Sequence, residues 1–170
     1  MPKTLNRQVQ VLVTQDGHRM CFDAMASACE VLVAGSDIKL AQTLGQLVAD
    51  EVWRIEDKYS RYKTTSVCSA INHSNGQPLA IDQETYALLN FADTCYQLSE
   101  GVFDMTSGVL RNAWQFDGSD NIPNAVSVQK VLKNIGWANV RYNQQQIILP
   151  KHMELDFGGI GKEYAVDRAL

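Results

Sequence analysis

Apolar positions along this chain repeat first with the period of a strand and then with that of a helix. Residues Val9 to Thr14 and Met20 to Phe22 flank "QDGH", where Asp16-Gly17 predicts a two-residue hairpin. Ala28 to Ala34 predicts a third strand, ended by "GSD", where Ser36 or Asp37 can cap a helix. That helix runs to about Lys58, with Ala41, Leu44, Val48, Val52 and Ile55 spaced to form one buried face. A loop "YSRYKTTS", a short segment "VCSAIN" and a turn "HSNGQP" follow. A second helix starts at Asp82, carries Leu88, Phe91, Cys95 and Leu98 on one face, and stops at Gly101. "VFDMTSGVLRNAWQF" is too broken by Gly and Thr for a plain helix, and "DGSDNIPNA" reads as a loop. Ser127 to Ile135 predicts a short helix, "NVRYNQQQIILP" a hairpin and "MELDF" one more strand. Strands and helices come in mixed order rather than strict alternation, which predicts an α+β fold.

Composition narrows the function classes more than the fold. A length of 170 residues fits one domain with a sizeable core. The net charge of −4 argues against a nucleic-acid binder, because phosphate binding needs a basic face. No apolar run approaches the roughly 20 residues of a membrane span. The start "MPKTLNRQVQ" carries no apolar signal core and no lipid-attachment cysteine, which predicts a cytoplasmic protein, a trimmed periplasmic lipoprotein being the alternative. Cys21, Cys29, Cys68 and Cys95 lack C-x-x-C spacing, which argues against structural zinc and predicts small buried hydrophobes. His18, His73 and His152 lie in turn-like contexts and are expected to be exposed.

Candidate chemistry concentrates in four stretches. "DFGGIGKEYAVD" (156–167) reads as a glycine hinge followed by a helix. Glycines allow close backbone approach, a helix start offers free N–H groups, and Lys162 adds a charge suited to phosphate. The Walker pattern fails because Glu163 follows the lysine, and the dinucleotide pattern fails because "GGIGKE" lacks its last glycine. A tightly packed strand–helix turn fits this stretch equally well. "GVFDMTSGVLRNAWQF" groups Phe103, Asp104, Thr106, Gly108 and Trp114 as site lining or as a packing turn. In "KYSRYKTTS", Tyr62 beside Arg61 and Lys63 can stack on a flat ring or lie across the core edge. "DAMASACEV" places Met25 and small residues before a strand.

In this order, "MAS" (25–27), "SRYKTTSVCSAIN" (60–72), "GVFDMTSGVLRNAW" (101–114) and "LDFGGIGKEYAVD" (155–167) resemble the ApbE family of FAD:protein FMN transferases. The resemblance implies an ApbE-like, T-fold-related mixed sheet with packed helices. It also implies Mg²⁺-dependent cleavage of FAD, transfer of FMN to a threonine of an acceptor flavoprotein, and release of AMP. A metal and a lysine suit that chemistry, which is mainly positioning and charge neutralisation. By resemblance Met25 and Tyr62 contact the flavin, and Phe103, Asp104 and Met105 hold the adenosine part. Asp156 and Lys162 bind FAD, Lys162 at the phosphates as the catalytic residue, and the Gly159 carbonyl is a Mg²⁺ ligand. The family's usual M-G-T is Met25-Ala26-Ser27 here, and the family's second half has no counterpart. Residues 1–170 are therefore expected to be the N-terminal portion of a single flavin transferase domain, inactive alone. The alternatives are a truncated FAD- or nucleotide-binding module and an FAD pyrophosphatase.

Overall fold

A computed structural model describes residues 7–114 and 122–170. It comprises two compact units: the described residues up to Ser60 together with Ile160–Leu170, and Arg61–Gly159.

In the first unit, β1 (Gln10–Val13), β2 (Gly17–Ala24) and β3 (Ser27–Ala34) form an antiparallel sheet in that order. The β1–β2 turn closes with the Thr14 amide donating to the Gly17 carbonyl at 2.9 Å, so it centres on Gln15-Asp16, one residue earlier than expected. Helix α1 (Ile38–Tyr59) begins at Asp37, whose carboxylate accepts from the Lys39 and Leu40 amides. Strand alternation puts His18, Met20, Phe22 and Ala24 on one face of β2, all of them buried, and α1 packs against that strand.

The buried stripe of α1 differs from the expected one. It comprises Ala41, Gly45, Ala49, Val52, Trp53, Ile55, Glu56 and Tyr59. Leu44 stays 39% exposed, with Leu40 at 53% and Leu47 at 62%. Small residues decide the rotation. A Cβ on Gly45 would lie 2.8 Å from Met20 Cβ, so the helix approaches the sheet along its alanine and glycine stripe and leaves the leucines outside. His18 also departs from expectation: alternation carries it to the covered face, where its Nδ1 has no hydrogen-bond partner. Helix α5 (Gly161–Ala169) packs along α1, with Arg168 3.4 Å from Glu51.

The second unit holds α2 (Val67–Asn72), β4 (Leu79–Ala80), α3 (Gln83–Leu98), α4 (Ala125–Leu132), β5 (Arg141–Tyr142) and β6 (Gln146–Ile148). Its antiparallel sheet runs β4-β6-β5. Ser66 and Asp82 cap α2 and α3. Helix α3 buries Thr85, Leu88, Leu89 and Ala92, while Phe91 is 51% and Leu98 82% exposed, so only Leu88 of the expected face is fully covered. The reason lies on the neighbouring elements. Tyr86 meets the Tyr142 ring, the Leu89 carbonyl accepts from the Tyr142 hydroxyl, and Asp93 accepts from the Trp137 indole, which turns this side of α3 inward.

"MELDF" is not a ladder strand. It makes one isolated parallel bridge, Ser107 to Glu154. Asn72 serves the adjacent backbone instead, donating to the Leu155 carbonyl at 3.0 Å and accepting its amide at 2.7 Å. The expected "DGSDNIPNA" loop falls partly outside the described residues, and α4 begins two residues before the expected Ser127.

Candidate functional site

Asp156 is the hub of the second unit. Its amide donates to the Met105 carbonyl at 2.9 Å, and its Oδ1 accepts the Gly158 amide at 2.9 Å. Its Oδ2 is ion-paired with Arg61. A Cβ on Gly108 would lie 2.8 Å from Asp156 Cβ, so glycine there permits the approach. Three of the motif stretches thus converge on one aspartate, from 95 residues away in the case of Arg61.

Arg61 links Asp156 to Tyr62. It donates to the Tyr62 hydroxyl at 2.7 Å and lies 4.9 Å from the ring centroid. Burial works against the Arg61 charge, but the bonds to Tyr62 and Asp156 outweigh it and raise its pKa. Tyr62 is 75% exposed, so it does not lie across the core edge.

The three residues expected to hold the adenosine part divide. Phe103 is half-buried, and a Cβ on Gly159 would meet its ring at 2.9 Å. The Asp104 carboxylate is engaged internally: Oδ1 accepts from the Thr106 amide at 2.7 Å and hydroxyl at 2.6 Å, and Oδ2 from the Trp137 amide at 3.0 Å. Met105 is a core residue at 3% exposure. Nearby, burial first and the Asp156 charge second push the Cys68 thiol up to about 12.

The first unit joins the other two candidate residues. Met25 and Ala26 form the β2–β3 turn with φ of 51° and 57°, both left-handed. Glycine, which the resemblance leads one to expect at position 26, takes that conformation freely; Ala26 does so at a cost. Lys162, in the exposed first turn of α5, donates to the Ser27 hydroxyl at 2.8 Å. The "MAS" and "GGIGK" stretches are thereby brought together within this unit. Glu56, in contact with the same turn, was not anticipated. Its only trace in the sequence is a polar residue on the buried face, four positions after Val52. Arg61 and Asn72 stood inside a quoted motif without a role.

Among the described residues no group of three His, Cys, Asp or Glu side chains could hold a metal ion. Gly159 can offer one carbonyl, whereas Mg²⁺ takes about six oxygen ligands, so the described residues do not make a complete Mg²⁺ site. A shallow depression of about 430 Å³ in the second unit, lined by Lys133, Arg141 and Lys151 among others, contains none of the candidate residues. Among the described residues no helix is long and apolar enough to cross a membrane.

Comparison with known proteins supplies the frame for this geometry. The chain matches the ApbE family over residues 7–170. An FAD:protein FMN transferase of Chlamydia pneumoniae is 30% identical over 142 residues, covering 81% of this chain and 45% of that protein. A Vibrio cholerae protein of the same name is 27% identical over 139 residues, covering 78% of this chain and 40% of its own length. The crystal structure of the ApbE protein of Thermotoga maritima superposes with a TM-score of 0.80 at 28% identity, covering 95% of this chain and 51% of that one. The apo flavinyl transferase ApbE of Pseudomonas stutzeri shares the fold, with a TM-score of 0.77 at 20% identity, over 95% of this chain and 53% of its own. The chain therefore spans about half the length of the curated relatives it matches, and its α+β fold is that of about half of each solved structure. Matched by the family over residues 7–170 and alike in fold to its solved members, this chain belongs to the ApbE family.

Proposed function

We propose that this chain is the FAD-holding part of a Mg²⁺-dependent FAD:protein FMN transferase. The reaction breaks the P–O bond joining the FMN phosphate to the AMP phosphate. It forms a bond from that phosphorus to a threonine oxygen of an acceptor flavoprotein; AMP leaves, and the hydroxyl proton is lost from the threonine. The observation that carries the reading is the Arg61–Tyr62–Asp156 cluster, an exposed ring held by a guanidinium that a carboxylate anchors in turn. Such a ring offers a flat face to an isoalloxazine, and the bond from Arg61 restrains its rotamer before ligand arrives.

Each residue takes a distinct share. Tyr62 and Met25 contact the flavin, and Phe103 flanks the adenosine, its loop shaped by Asp104 and Met105. Asp156 holds Arg61 in place and adds a ligand-facing carboxylate. Lys162 neutralises phosphate charge, as a point charge at a helix start does. Mg²⁺ would supply further charge neutralisation, with the Gly159 carbonyl as this chain's one candidate ligand. The incomplete donor set among the described residues favours a second reading, in which these residues bind FAD and the chemistry requires further polypeptide.

A fluorescence titration of the 170-residue chain with FAD, with and without Mg²⁺, tests the proposal. Saturable quenching that weakens about tenfold or more in Tyr62→Ala is expected, in line with loss of a stacking contact. A folded chain that leaves FAD fluorescence unchanged would remove the assignment. AMP release on adding Mg²⁺ separates catalysis from binding alone.

A further inference from the structure

The turn that carries Met25 has a structural problem and a structural answer, both within the first unit. Two consecutive non-glycine residues, Met25 and Ala26, occupy the left-handed region, where two-residue hairpins favour Asn-Gly. Neither a methionine thioether nor an alanine methyl offers the local hydrogen bond by which Asn or Asp settles in that region. The restraint comes from one turn of α1. Trp53 donates its indole N–H to the Asp23 carbonyl at 2.9 Å, and Glu56 accepts the Met25 amide on Oε1 at 2.7 Å. The two bonds grip the hairpin on either side of Ala24.

Glu56 is an unusual choice for a buried helix face. It is only 8% exposed, and a carboxylate goes there at a solvation cost that must be answered by partners. Oε1 takes the Met25 amide, and Oε2 takes Arg7 at 3.3 Å. Arg7 also pairs with Asp57 and lies 5.6 Å from the Trp53 ring centroid, so the carboxylate is held from both sides. The next strand then begins at Ser27, whose hydroxyl accepts from Lys162. A displaced turn would move both Met25 and the hydroxyl that seats the lysine.

We propose that Glu56 is a positioning residue for FAD binding: by capturing the Met25 amide it fixes the left-handed Met25-Ala26 turn in its flavin-contacting position. The inference rests on the flavin reading of Met25 above. It adds a residue in the last turn of α1 that touches no ligand and acts through backbone alone. Glutamine retains the accepting oxygen and alanine does not, which separates this role from a requirement for charge.

The test compares the wild-type chain with Glu56→Gln and Glu56→Ala in FAD titrations well below their melting temperatures. Amide hydrogen exchange at Met25 is read in parallel. Glu56→Ala should weaken FAD binding by about tenfold and free the Met25 amide to exchange, while Glu56→Gln stays within about threefold. Should Glu56→Ala fail to fold, Glu56→Asp, shorter by about 1.5 Å, carries the same expectation. A folded Glu56→Ala with wild-type affinity, or with Met25 still protected, overturns the inference while leaving the flavin reading intact. A wild-type chain that binds no FAD overturns both. A variant that only lowers the melting temperature, with affinity unmoved, assigns Glu56 to stability and also overturns it.

Discussion

Replacing Asp104 separates two roles that the sequence could not distinguish. By family resemblance this residue holds adenosine, yet its carboxylate is committed to Thr106 and Trp137. Asp104→Ala strands two backbone amides and leaves the hydroxyl of the fully buried Thr106 without its acceptor, although that oxygen still accepts from the Gly136 amide at 2.8 Å. Bonds to a charged acceptor contribute about 1.5–3 kcal/mol each, and part exposure of the carboxylate puts these three at the low end, for a loss of about 4.5 kcal/mol. With a urea dependence of about 2 kcal/mol per molar, the unfolding midpoint falls by about 2.2 M. Asp104→Asn keeps one accepting oxygen and should lose about half as much. Asp104→Asn, measured folded and without urea, is expected to bind FAD within about twofold of wild type, since its retained oxygen keeps the loop in shape and, on the proposed reading, the carboxylate itself meets no ligand. A tenfold loss of FAD affinity with an unmoved urea midpoint would refute this reasoning and make Asp104 a ligand contact.

Two further outcomes follow from burial and backbone geometry. Burial raises the Cys68 thiol from 9.0 to about 12, so between those values the unfolded chain has lost a proton that the folded chain keeps, and stability falls as pH rises. The loss at pH 10 amounts to about 1.4 kcal/mol and should be absent from Cys68→Ala; equal pH dependence in urea melts of the two proteins would refute it. Ala26→Gly relieves a φ of 57° and is expected to stabilise the chain by about 0.5–1 kcal/mol, read as a rise in melting temperature, and a fall would contradict the strain assigned to that turn.

Much of the local structure was legible because its causes are local. Asp37 and Asp82 cap their helices through amides two or three residues away, and strand alternation alone predicts which side of β2 carries Met20 and Phe22. The glycine hinge before α5 and the four motif stretches are likewise contiguous text. Which stripe of a helix is buried was not legible. Leu44 and Gly45 are adjacent residues about 100° apart around α1, and both lie on plausible faces. The sheet chose Gly45 because Met20 stands opposite and only a small residue allows contact.

The site divides along the same line. Sequence by itself determined which residue types were available: a tyrosine in a polar loop, an aspartate just before a glycine turn, a lysine at a helix start. Only the tertiary structure decided their company, because hydrogen bonds reach about 3 Å and the partners lie far apart along the chain. Arg61 finds Asp156 across 95 residues, Ser27 finds Lys162 across 135, and Glu56 finds the Met25 amide across 31. No spacing rule links such positions; the packing of α1 on β2 and of the loops around Asp156 does.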